Sequence, residues 1–176
     1  GGGWSTILAT NCEQLTISGI TIRAARDAID IMGCRHVLME KMHISGGGDD
    51  AVKFGADWSR GKRLNSYNVT VVNSVVGSND CNALQFGTET FGDFSDFLFE
   101  NITITAAGKA GIGMVSVDGA HIHRIVFKNI TMSNVSSPIF IYIGGRLRGP
   151  YAKPSVANDS LIGARNFLSL IFPSRM

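Results

Sequence analysis

Three cysteines, four prolines and 17% charged residues are low counts for a chain of 176 residues, and each scarcity removes a class of protein. Cys12, Cys34 and Cys81 are too few for a disulfide framework and lack the paired C-x-x-C spacing of a zinc site, so they fix no redox compartment. The net charge is only +2. The basic residues are scattered without interleaved aromatics, which argues against nucleic acid as a partner. No apolar run approaches the roughly 18 residues a membrane span needs, and no signal peptide is visible. The chain opens on GGGWSTILATNCEQ without an initiator Met, which reads as the middle of a longer protein. The histidines are dispersed: His36 and His43 lie apart, and His121 with His123 share only a strand face. No metal and no cofactor is expected.

What is abundant is glycine, at 21 residues, together with 44% hydrophobic residues. That combination gives one domain with a continuous core, many tight turns and an all-β chain. An internal repeat sharpens this. Hydrophobic residues at relative positions 0, 2, 5 and 7 recur in LTISGITI from Leu15, VLMEKMHI from Val37, VTVVNSVV from Val69, FLFENITI from Phe97 and IVFKNITM from Ile125. Within each frame the period-two alternation breaks after three residues and resumes one position later, as two short strands joined by a bend require. Only Ser74 departs from the pattern. A further strand, AIDI, AVKF, ALQF or GIGM, carries Ile29, Val52, Leu84 and Ile112 at equivalent places.

Three short strands per 22 to 32 residues predict a right-handed parallel β-helix of five to six coils, each stacked about 4.8 Å above the last. A propeller would need longer repeats of four strands, and a leucine-rich repeat would show its Leu and Asn spacing. An ordinary sandwich is the rival. The coils should span residues 1–148. From 149 to 176 the frame is lost, leaving an irregular tail or an amphipathic cap around SLIGARNFLSLIF. The bend positions Gly19, Lys41, Asn73, Asn101 and Asn129 should form a column in left-handed conformation, an asparagine ladder with amides bonded from coil to coil. Burial in that ladder would make the two NIT motifs at Asn101 and Asn129 poor glycosylation acceptors. Cys12 and Cys34 should stack as neighbouring thiols.

The run SGGGDDAVKFG, from Ser45 to Gly55, raises a chemical question. Taken alone it is a solvated Gly-Asp turn. Stacking changes that, because Asp27 precedes Ile29 by two residues and Asp50 precedes Val52 by two, which places them on adjacent coils with Asp49 alongside. Like charges so close raise at least one pKa, so a protonated and an ionised carboxyl can coexist. Glycoside hydrolysis needs that division of labour, one group protonating the leaving oxygen and another activating water.

DAID followed one coil later by GDDAVKFG resembles the polygalacturonase-like glycoside hydrolases of family 28, pectin-degrading proteins with a parallel β-helix fold, over about residues 5–148. The runs CNALQFGTETFGDF and GIGMVSVDGAHI look like a bacterial subgroup of that family. The resemblance implies hydrolysis of a pectin-like or related polysaccharide with inversion, Asp49 as general acid, and Asp27 with Asp50 positioning and activating water. It further implies a secreted or periplasmic monomer whose partner is a polysaccharide or oligosaccharide. Two family motifs are altered. Cys81 stands where G-H-G would place histidine, and Gly113 to Val115 stand where R-I-K would supply a cationic pair, which puts a uronic acid substrate in question. Lys53, Asn82, Gln85 and Lys109 are nearest in the same columns and become the expected substrate contacts. Lys53, Gln85 and Asp30 share one outward column, where Lys53 could equally contact Asp30 or Asp50 structurally. Two other functions fit the same fold: a polysaccharide lyase, needing a calcium site and a basic abstractor, and a non-catalytic carbohydrate-binding or adhesive protein.

Overall fold

The computed structural model describes residues 4–58 and 60–145, and the tail from 149 to 176 lies outside them. Twelve strands run in chain order: β1 (Ser5–Thr10), β2 (Glu13–Ser18), β3 (Thr21–Ala24), β4 (Asp27–Met32), β5 (Arg35–Glu40), β6 (His43–Gly46), β7 (Val52–Ala56), β8 (Ser66–Ser78), β9 (Leu84–Thr90), β10 (Phe94–Ser116), β11 (Ile122–Met132) and β12 (Val135–Ile143). The described residues contain no helix. All strand pairings are parallel and join into one curled sheet.

The pairing follows the apolar frame position by position. Leu15 lies beside Val37, Val37 beside Val69, Val69 beside Phe97, and Phe97 beside Ile125. On the other wall Ile29 pairs with Val52, Val52 with Leu84, and Leu84 with Ile112. Each frame places its alternating apolar residues toward the interior, so a slip of one residue would turn that whole set outward. The chain thus returns beside itself after each repeat: β4 lies beside β1, with Asp27 opposite Ser5.

Between the walls the core is aromatic. Phe54 and Phe86 lie on neighbouring strands with ring centroids 5.2 Å apart, and meet Phe97 and Phe99 from the opposite wall. Phe99 in turn stacks on Phe127 at 4.7 Å. Ser74, the one polar intruder in the frame, is accommodated by bonding: its buried hydroxyl accepts from Met42 N at 3.1 Å and donates to Val72 O at 2.8 Å.

Every bend position adopts the left-handed conformation, with φ of 66° at Gly19, 53° at Lys41, 51° at Asn73, 56° at Asn101 and 52° at Asn129. Asn101 Nδ2 donates to Asn73 Oδ1 at 3.0 Å, and Asn129 Nδ2 to Asn101 Oδ1 at 2.7 Å. The ladder forms, but it is exposed rather than buried. A bend that turns its backbone outward carries its side chain outward with it, so burial does not shield the NIT motifs. Each acceptor amide is instead engaged with its neighbour. Lys41 is the ladder position with a side chain ill suited to positive φ. Lys41→Asn should therefore stabilise the fold by about 0.5–1 kcal/mol, read as a higher urea midpoint at unchanged m-value.

The thiols of Cys12 and Cys34 are neighbours, as expected, with Cys12 N donating to Cys34 Sγ at 3.3 Å and both thiols free. Strand β12 ends the described sheet, and Phe140, Ile141, Tyr142 and Ile143 are each about half exposed along it.

Candidate carboxylate site

The outward face of the wall built from β1, β4, β7, β9, β10 and β12 carries two columns that matter. One runs Ser5, Asp27, Asp50, Asn82, Ala110 and Ser137, and the next runs Leu8, Asp30, Lys53, Gln85, Gly113 and Phe140. Asp50 and Asn82 enter the first column just ahead of their strands, where Ala28 N donates to Asp50 O and Ala51 N to Asn82 O. The sequence columns are thus realised, and Asp27 sits one strand spacing from Asp50.

Asp49 occupies the bend ahead of Asp50, and its Oδ1 caps Asp50 N at 3.2 Å. Its Oδ2 accepts from Arg26 Nη2 at 3.2 Å and Nε at 3.4 Å. The same Nε lies 3.9 Å from Asp27 Oδ2, so one guanidinium bridges two of the three aspartates. Arg26 is held from above by Trp4, whose ring centroid is 4.1 Å from Cζ. Sequence reasoning missed both residues. Arg26 falls in the bend before β4, outside the alternating strand that made Asp27 visible.

The three carboxyls differ in access. Asp49 is about a third exposed, whereas Asp27 and Asp50 are buried. Burial, reinforced by Asp30 and Asp49 and opposed by Lys53, pushes Asp27 up from 3.8 to about 6. Its Oδ1 has no hydrogen-bond partner among the described residues. Burial also raises Asp50, although Cys81 and Asn82 counter it by hydrogen bonding. Asn82 donates both its backbone N at 3.1 Å and Nδ2 at 3.0 Å to Asp50 Oδ1, while its own Oδ1 accepts from Ala110 N at 3.0 Å. A fourth carboxyl, Asp30, belongs to the same face. Burial raises it as well, and Ser5 Oγ donates to its Oδ2.

Of the expected substrate contacts, Asn82, Gln85 and Lys109 line one cleft of about 450 Å³ together with Ala110, Val115 and Phe140. Lys53 does not. Rather than binding Asp30 or Asp50 directly, it forms a 2.9 Å ion pair with Glu89 Oε2. Glu89 escaped notice because the β7–β9 register shifts before it, between the pairs made by Phe54 and Ala56. Cys81 is packed between charges. Lys109 Nζ donates to its Sγ at 3.2 Å, and burial with Asp50 beside it pushes the thiol up to about 12. A thiol so protonated is a poor nucleophile. Asp49, Asp50 and Cys81 bring ligand atoms within 4.8 Å of one another, and the Lys109 ammonium already supplies that trio with a cation.

No protein-family model, curated protein or solved structure matches the chain.

Proposed function

We propose that the chain is a right-handed parallel β-helix and that its aspartate face hydrolyses O-glycosidic bonds of a polysaccharide with inversion. The observation that carries this reading is the unequal environment of three adjacent carboxyls: Asp49 reaches solvent, while Asp27 and Asp50 are recessed behind it. A general acid must touch the glycosidic oxygen, which suits the accessible Asp49. A group that holds water can lie deeper, and Asp27 at about 6 is a base matched to weakly acidic or neutral conditions. Asp50, oriented by Asn82, completes the water site. The right-handed sense follows from the strong preference of parallel crossovers for that hand.

The chemistry assigned to these residues is direct displacement. Water held by Asp27 and Asp50 loses a proton to Asp27 as its oxygen attacks the anomeric carbon. The bond to the leaving sugar breaks, and Asp49, which enters the step protonated once substrate has displaced the Arg26 clamp, delivers that proton to the leaving oxygen. Incubation with a polysaccharide panel should release reducing ends whose first-formed anomer, followed by proton NMR, is inverted. Products absorbing in the ultraviolet would instead assign a lyase.

One observation favours a non-catalytic reading. Arg26 clamps Asp49 in the free protein, as a structural ion pair would. Glycan binding that survives replacement of all three aspartates, with no turnover by the parent chain, would establish a binding protein.

A further inference from the structure

The cleft beside the aspartates owes its existence to small residues on one coil. In the two outward columns, β10 contributes Ala110 and Gly113, flanked by Asn82 and Gln85 on one side and by Ser137 and Phe140 on the other. The flanking residues are two strand spacings apart, on the order of 10 Å between backbones. The result is a slot floored by Ala110 and Val115, with the Gln85 side chain lying across Gly113 between them. Gly113 has no positive φ, so its backbone conformation does not demand glycine. What demands it is space: a Cβ there would run into Gln85 Oε1 and approach Asn82 Cγ to 3.3 Å.

Gln85 makes the slot chemically selective. Its Nε2 donates to Phe86 O at 2.8 Å, and because that carbonyl only accepts, the bond decides which end of the amide is nitrogen and which is oxygen. Oε1 consequently lies over Gly113, buried and without a donor among the described residues. An orphaned acceptor calls for a ligand hydroxyl or N–H, reached by a small turn of the soft terminal torsion. It disfavours a carboxylate. On the facing wall Phe140 presents a half-exposed ring, the surface against which the C–H face of a sugar packs. Lys109, the cation among the lining residues, donates to Cys81 Sγ, and its charge faces the carboxyls of Asp49 and Asp50.

We infer that this slot is a subsite for one uncharged pyranose ring, stacked on Phe140 and donating a hydroxyl to Gln85 Oε1. The inference rests on the hydrolase reading for its placement beside the scissile bond. It names a neutral hexose, rather than a uronic acid, as the residue bound there.

The test uses neutral hexose trisaccharides and the matching uronate trisaccharides, titrated calorimetrically against the chain and against Asp49→Asn. A neutral trisaccharide should bind more tightly than its uronate counterpart. Phe140→Ala, at an exposed position, and Gly113→Val, whose side chain displaces Gln85 from its place over the strand, should each weaken it about tenfold. Thermal unfolding of both variants verifies that they fold. Tighter binding of the uronate, equal affinity in the parent and both variants, or no binding of any trisaccharide would overturn the subsite. Slot-dependent binding without turnover would sink the hydrolase reading and leave the subsite standing. Turnover with kcat/KM unaltered in both variants would do the reverse.

Discussion

Asp49→Asn and Asp27→Asn should each lower glycoside hydrolysis by at least about a hundredfold, the scale of losing a positioned proton donor or acceptor. The two variants differ in every other respect. Asp27 must be ionised to accept a proton, so parental kcat/KM should climb as pH rises through about 6, and a plot of its logarithm should bend there. A limb that falls through the same pH would reverse the roles and make Asp27 the acid. Linkage supplies an independent readout. The folded carboxyl titrates at about 6 and the unfolded one near 3.8, so between those values the folded state binds more protons and stability declines with rising pH. Above about 6 the destabilisation is complete, at roughly 2–3 kcal/mol. Asp27→Asn should cancel it, giving a variant that is inactive yet melts higher than the parent at pH 7 and close to it below pH 3.8. Lower stability at pH 7 would show that ionised Asp27 is held by contacts stronger than its burial cost.

The parts of this architecture that were legible in the sequence are those that repeat. Interior positions such as Leu15, Val37, Val69, Phe97 and Ile125 face the same core in every repeat, so each selects an apolar residue and the register can be read from the spacing alone. The bend column was visible for the same reason, since each repeat turns through a left-handed residue. Burial of that column was not, because φ preference says nothing about which way a bend faces. At the site, Asp27 and Asp50 could be aligned by counting back from Ile29 and Val52. Arg26, Glu89 and Phe140 could not. Arg26 lies in a bend, Glu89 follows a shift in the β7–β9 register, and Phe140 follows another between Ala107 and Ala110 in the β10–β12 pairing. Irregular backbone breaks the period on which counting depends, and here it falls beside the candidate chemistry.

Phe86→Ala should be the most damaging single truncation of the core, at about 3–5 kcal/mol. Phe86 is fully buried and lies in one inward column between Phe54 and Met114. Its ring meets Phe94, Phe97 and Phe99 from the opposite wall at 5.7, 4.9 and 5.9 Å. It therefore ties neighbouring strands together and one wall to the other, and removing it interrupts both contacts at mid-stack. Parallel pairing fixes the backbone on each side, so the walls cannot close on the void as a loosely packed helix pair could. With a urea m-value of roughly 1–3 kcal/mol/M, the midpoint should fall by more than about 1 M. Phe140→Ala serves as the matched control, because a half-exposed ring on the outer face should alter stability by no more than about 0.5 kcal/mol. A loss below about 1 kcal/mol for Phe86→Ala would mean that the walls do collapse into the gap, and that backbone pairing, rather than the phenylalanine column, holds their spacing.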